Sequence, residues 1–183
     1  MFRRVLAPLP IVLAALAMAG SASAAVRIFS YDAADAATRR VAGDLTFQFR
    51  QRLFFQKVLD LRSTEGRAAA DLKPANERVL GRGGLSRLIG ADAHERDLYA
   101  VEPDAQGTEL IRALCPGSTK AWLAFGRLKA GAPLRVDVLG DNPAGGGARL
   151  CQRLDFAFRG EWTAPQGSGV SNRPFLVPHE GPY

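Results

Sequence analysis

Histidine and cysteine are scarce in this sequence, which has only two of each among 183 residues. The two cysteines, Cys115 and Cys151, are far apart, so the Cys-x-x-Cys spacing of thioredoxin-like redox sites is absent. The two histidines, His94 and His179, lie in separate polar segments without the ligand spacing of a zinc site. The sequence therefore predicts neither a metal site nor a cofactor.

Recognisable catalytic signatures are also missing. The segment 167–171, Gly-Ser-Gly-Val-Ser, does not match the Gly-x-Ser-x-Gly turn of many hydrolases. No glycine-rich segment ends in the Gly-Lys-Ser/Thr of a phosphate-binding P-loop. A catalytic triad assembled in space stays open, because its members need not be close in sequence. Only His94 and His179 are available as its imidazole base.

Long hydrophobic runs are confined to the amino terminus. Arg3 and Arg4 precede an uncharged stretch from Leu6 to Ala19, and Ala22-Ser23-Ala24 has the small-x-small pattern that signal peptidases cleave. The stretch is shorter than the roughly 20 apolar residues of a membrane-spanning helix. Residues 1–24 are therefore predicted to be a cleaved signal peptide of the general secretory route. The mature protein is then periplasmic or secreted and has no membrane span.

A strong charge of one sign is absent from the mature chain. The net charge of +6 falls to +4 after removal of the two arginines of the signal, and basic and acidic residues alternate along the rest. Such a mixed surface indicates no particular partner. We expect no nucleic acid partner for an exported protein. A protein partner and a partner in the cell envelope both stay open.

Alternating apolar residues predict a strand-rich fold. Leu45, Phe47 and Phe49 repeat with the period of two that marks a half-buried strand, and 134–138 and 150–158 continue this pattern. The predicted class is α+β leaning to mainly β, an antiparallel sheet with a few short helices, with a β-sandwich as the alternative. We expect a single globular domain over 25–162 and an extended tail, rich in proline and glycine, over 163–183.

Cys115 and Cys151 are predicted to form a disulfide, because two thiols in an oxidising compartment with no other partner usually pair. Closing this loop contributes roughly 4 kcal/mol to stability in the chain-entropy model. In an unbroken strand, Cys151 shares a face with Arg153 and Asp155, away from the phenylalanines. The bridge is therefore predicted to lie on the less apolar face.

A glycine-rich turn is the strongest ligand-site candidate in the sequence. Backbone amides at a turn that opens a helix can hold an anion, and neighbouring arginines reinforce it. The residues of this predicted anion site are Arg78, Arg82, Gly83, Gly84 and Arg87.

The function predicted from these features is that of a non-enzymatic binding or envelope-associated module. It follows from the predicted export and the compact strand-rich domain. The alternative is a small exported hydrolase that uses scattered carboxylates and a histidine.

The signal prediction is tested by the amino terminus of the exported protein. We expect Edman sequencing or intact mass to place it at Ala25. Ala24→Phe removes the small residue at the cut and is expected to leave uncleaved precursor. Ser23→Phe is the matched control, because the central residue of the pattern is not restricted. Exported wild-type protein that retains residues 1–24 would contradict the prediction.

Overall fold

The computed structural model describes residues 26–51, 55–63, 69–91 and 93–163. The predicted signal peptide, 1–24, lies outside these ranges, as does the predicted tail except for its first residue, Thr163. None of the helices in the described part of the chain is long and apolar enough to cross a membrane.

Eight antiparallel strands form a closed barrel in which each strand pairs with its neighbours in sequence and β1 pairs with β8. The strands are β1 Val26–Ala33, β2 Leu45–Gln51, β3 Gln56–Ser63, β4 Ala69–Pro74, β5 Asp97–Val101, β6 Ala121–Phe125, β7 Leu134–Asp141 and β8 Ala148–Thr163. The helices in the described residues are α1 Ala36–Ala42, α2 Gly84–Ile89 and α3 Ala105–Leu114, with a 3₁₀ turn at Glu77–Leu80.

The predicted fold class, α+β leaning to mainly β, is wrong, and so is the β-sandwich alternative. The structure is a mainly β closed barrel, although the antiparallel pairing is confirmed. Alternation along a strand shows which face is buried, but it does not show whether the first and last strands meet. That pairing joins residues at opposite ends of the domain, and no local pattern encodes it.

The long strand β8 closes the barrel. Its first half pairs with β7 and its second half with β1, so that Phe156 lies opposite both Leu134 and Ala33. This stagger is the shear that a closed barrel of tilted strands requires. A register shift between Ser30 and Tyr31 lets β1 follow the bend of β8.

Side chains fill the barrel interior. An aromatic cluster lies at its centre, with Phe29 edge-on to Phe49 at a centroid distance of 4.7 Å and Tyr31 edge-on to Phe47 at 6.0 Å. Beside it is a cavity of about 10 Å³ lined by aliphatic side chains such as Leu61. This volume is near the minimum for a single water, so the described interior is a packed core with no room there for a ligand.

Two helices cover one end of the barrel. α1 connects β1 to β2 and α3 connects β5 to β6, which places both helices at the same end. Leu110, Ile111 and Leu114 of α3 belong to the main core. The helix starts are capped by aspartates, since Asp35 accepts from the backbone amides of α1 and Asp104 accepts from Gly107.

A second apolar cluster lies on the outside of the barrel. The 3₁₀ turn and α2 bury Leu80, Leu85 and Ile89 against outward-facing residues of β5, β6 and β7, among them Trp122 and Leu139. These central strands are therefore apolar on both faces. This explains why β6, Ala121–Phe125, reads as a continuous hydrophobic run.

The predicted disulfide is confirmed, with Cys115 at the end of α3 and Cys151 in β8 at a Cα–Cα distance of 5.3 Å. Its predicted position on the less apolar face differs from the structure. The register shifts between Val138 and Leu139, which leaves Cys151 as the unpaired residue of a bulge, packed against the main core. A bulge changes the facing of a strand and so defeats simple alternation.

Gly140 makes room for this disulfide. A Cβ at Gly140 would lie 2.2 Å from Cys115 Sγ and 2.4 Å from Ser118 Oγ, both closer than van der Waals contact permits. The bridge that fastens α3 over the barrel end therefore depends on a glycine in the neighbouring strand β7.

We expect Gly140→Ala to lower the free energy of unfolding by about 2–4 kcal/mol, because the added methyl group displaces the disulfide. Urea denaturation measures the loss, and thiol titration of the denatured protein should detect free cysteine. Gly126→Ala is the matched control, since its Cβ would meet only His94 O at 3.6 Å. Unchanged stability with no free thiol in Gly140→Ala would show that the glycine is not needed.

Candidate functional site

The residues of the predicted anion site extend from the 3₁₀ turn to the first turn of α2, and all of them except the half-buried Gly84 are exposed. Gly83 has a φ of +85°, in the left-handed region that favours glycine. The Leu85 amide donates to Glu77 Oε2 at 3.3 Å, so a carboxylate of the chain itself already lies at the start of α2. Arg87 donates to Ala148 O at 3.0 Å. Anion binding here stays a prediction, and a bound anion would compete with Glu77.

The side chains of Arg78 and Arg82 are exposed and make no hydrogen bond to the described residues. The structure therefore joins only Arg87, among the three arginines of the turn, to the rest of the fold. The five predicted residues lie in one segment of the chain. No contact among the described residues joins their side chains at a common point.

A polar cleft of about 160 Å³ lies on the outer face of the barrel, near the end of α2. We refer to it as the outer cleft. Its walls come from α2, from the loop that follows it, and from the outward faces of β7 and β8. The lining residues are Ile89, Ala93, His94, Glu95, Arg135, Asp137 and Arg153.

Two crossed ion pairs form the strand side of the outer cleft. Arg135 Nε donates to Asp155 Oδ1 at 2.9 Å, and Arg153 Nε donates to Asp137 Oδ1 at 2.9 Å. Each pair joins residues directly opposite one another in the β7–β8 ladder. Opposite charges in such positions stabilise both the sheet and its register.

Asp137 is the buried charge of the outer cleft, with only 1% of its surface exposed. Burial raises its pKa above the usual range, while the hydrogen bond from Arg153 opposes that shift. Arg153 also donates to the backbone carbonyl of Ile89 at 3.1 Å. This arginine therefore connects the buried carboxylate to the end of α2 and fixes one wall of the cleft.

Residues 93–95, in the loop that follows α2, form the opposite wall. Arg96 donates to Ala91 O at 2.6 Å and so closes the loop on itself. His94 is exposed and Glu95 is half-buried. Neither side chain makes a hydrogen bond or ion pair with the described residues, so both are available to a ligand.

His94 is the one residue of the outer cleft that the sequence analysis named as a candidate. The described residues around it do not form a metal-binding group. Among residues 26–51, 55–63, 69–91 and 93–163, no three histidine, cysteine or acidic side chains are grouped to hold a metal ion. His179, the other histidine, lies outside the described residues.

Sequence reasoning missed Arg135, Asp137 and Arg153, although a signal for them was present. The two arms of the hairpin both contain Arg-x-Asp, at 135–137 and at 153–155. Antiparallel pairing places the arginine of one arm opposite the aspartate of the other. The pattern therefore indicates a charged patch, although only the tertiary structure shows that this patch shares a cleft with residues 93–95.

A second buried carboxylate lies on the outward face of β3, where Asp60 is 3% exposed. Its Oδ1 atom has no hydrogen-bond partner within the described part of the chain, and Asp71 lies directly opposite in β4. Burial raises the pKa of Asp60 to about 6, with Arg62 lowering it and Asp71 raising it. Asp60 is thus a titrating group of the fold, separate from the outer cleft.

No family model matches this chain, and no curated protein and no solved structure matches it. The function is therefore argued from the residues of the chain and from their geometry.

The pKa of Asp60 predicts how stability changes with pH. The folded protein binds this proton more tightly than the unfolded chain, so stability falls as pH rises from about 4 to 6 and then levels off. Relative to Asp60→Asn, wild type should lose about 3 kcal/mol between pH 4 and pH 7.5, as an upper bound from a shift of about two pKa units. Urea denaturation across this range measures the difference.

A second variant separates this titration from other effects of replacing Asp60. Asp71→Asn removes a charge that raises the pKa of Asp60, so it should move the midpoint of the pH dependence downward while the dependence persists. Parallel pH curves for wild type and Asp60→Asn would show that Asp60 does not titrate in this range.

Proposed function

We propose that this protein is an exported, non-enzymatic binding module that takes a small charged molecule in the outer cleft. Export, to the periplasm or to the medium, is supported by the pattern of residues 1–24 and by the Cys115–Cys151 disulfide. A role at the cell envelope follows from that location and is part of the proposal.

The observation that carries the proposal is the burial of Asp137 beside the outer cleft. Burying a carboxylate costs free energy unless the carboxylate is paired, and Arg153 pairs with Asp137. The two side chains form a fixed charged wall. Fixed, partly desolvated polar groups in a concave site are what small-molecule binding uses for specificity.

The barrel interior has little free space, which favours the outer cleft as the binding site. An eight-stranded barrel is wide enough either for its own side chains or for one small ligand. Here the aromatic cluster and the helices at one end fill it, and the cavity beside Leu61 measures about 10 Å³. The outer cleft, at about 160 Å³, is much larger.

A hydrolase is the second candidate, because His94 and the buried Asp137 line the same cleft. A carboxyl group whose pKa is raised by burial suits general acid catalysis. Among the described residues, however, His94 donates no orienting hydrogen bond to a carboxylate and accepts none from a hydroxyl. A base–nucleophile pair needs such a bond, so binding is the better-supported function.

Ligand screening with a steric block of the outer cleft tests the binding function. The purified, oxidised protein is screened by thermal shift against small carboxylates, amines, amino acids, inorganic phosphate and monosaccharides. We expect at least one class to raise the melting temperature. Ala93→Phe, which fills the cleft from its loop wall, should abolish that shift.

Ala91→Phe is the matched control, because Ala91 is exposed in the same loop and does not line the cleft. It should leave the ligand-dependent shift unchanged. A screen in which no compound raises the melting temperature, or a shift that survives Ala93→Phe, would overturn the proposal. Hydrolysis of ester or amide probes that is lost in His94→Ala would favour the second candidate.

A further inference from the structure

The outer cleft presents free groups of both charges. Arg135 uses its Nε to bind Asp155, which leaves its two terminal amino groups without a hydrogen bond to the described residues. Glu95 is likewise without such a partner there. A free guanidinium end and a free carboxylate therefore line the same small space.

These charges act on one another across the cleft. Glu95 and Asp137 both favour the protonated form of Arg135, and Glu95 disfavours the ionised form of Asp137. Because Arg135 and Glu95 line the same cleft, a single small molecule bound there can meet both. His94 apart, the lining carries two positive charges, on Arg135 and Arg153, against two negative ones, on Glu95 and Asp137.

A ligand with one charge is poorly suited to this lining. A simple anion that binds Arg135 also meets the negative charge of Glu95, and a simple cation at Glu95 meets two guanidinium groups. A molecule that has both charges satisfies Arg135 and Glu95 together, because each of its ends faces a group of opposite sign.

The volume of the outer cleft limits the size of such a molecule. Drug-sized ligands occupy clefts of roughly 300–1000 Å³, whereas this one is about 160 Å³. We infer that the outer cleft binds a small zwitterion, an α-amino acid or the equivalent end of a short peptide, with its carboxylate at the free end of Arg135 and its ammonium group at Glu95. This inference rests on the proposed function, whose ligand class it specifies.

Three matched probes test the zwitterion. L-Alanine has both charges, propionate is alanine without its ammonium group, and ethylamine is alanine without its carboxylate. Binding to the purified, oxidised protein is measured by ¹H–¹⁵N NMR titration, following the backbone signals of 93–96 and the Nε signal of Arg135. We expect L-alanine to bind about two- to five-fold more tightly than either fragment, the factor that one exposed ion pair supplies.

Two substitutions assign the contacts. Glu95→Gln should weaken L-alanine binding to the level of propionate and leave propionate binding unchanged or slightly tighter. Arg135→Gln should weaken both. Glu109→Gln is the matched control for Glu95→Gln, because Glu109 is an exposed glutamate of α3 that does not line the outer cleft. It should leave all three affinities unchanged.

The outcomes separate this inference from the function on which it rests. If propionate or a monosaccharide binds as tightly as L-alanine and Ala93→Phe blocks it, the outer cleft is a binding site but not one for zwitterions. If an advantage of L-alanine persists in Glu95→Gln, the ammonium contact is assigned wrongly and the inference fails. If no probe or screened compound shifts the signals of the cleft, both the inference and the proposed function are overturned.

Discussion

The hydrogen-bonded pairing of β1 with β8 is the constraint on which the rest of this structure depends. It turns a meander of eight strands into a closed barrel and gives both edge strands a partner. Closure brings Phe29 and Tyr31 of β1 against Phe158 of β8, with ring centroids 5.3 and 5.6 Å apart. The same rings pack on those of β2, so the aromatic core and the closure of the sheet stabilise one another.

The barrel interior is filled by aromatic and aliphatic side chains, so the larger cleft of the described residues lies on the outer surface. It is found where an external layer of structure covers only part of the sheet. α2 supplies that layer with Leu85 and Ile89, and its end meets Arg153 through a backbone carbonyl. The outer cleft lies beside this contact. Its wall therefore combines Ile89, at the end of α2, with the Arg153–Asp137 ion pair of the sheet.

Local patterns predicted much of the chain correctly. The alternation in 45–49 and 134–138 marks real strands, and Cys115 and Cys151 are bridged. The wrong predictions concern features that depend on residues far apart in the chain. The bulge at Cys151 places the disulfide against the main core. The pairing of β1 with β8 closes the predicted sheet into a barrel. His94 was recognised as a candidate, whereas the burial of Asp137 became evident only in the tertiary structure.

By itself, the sequence determined where several strands form and which two thiols pair, because periodicity and composition act over a few positions. Only the tertiary structure decided that the sheet closes, that its interior is full, and that Arg135, Asp137 and Arg153 share a cleft with His94 and Glu95. The physical reason is that closure and clefts depend on contacts between residues far apart in the chain. The free energy of such contacts comes from packing and desolvation, which no short stretch of sequence displays.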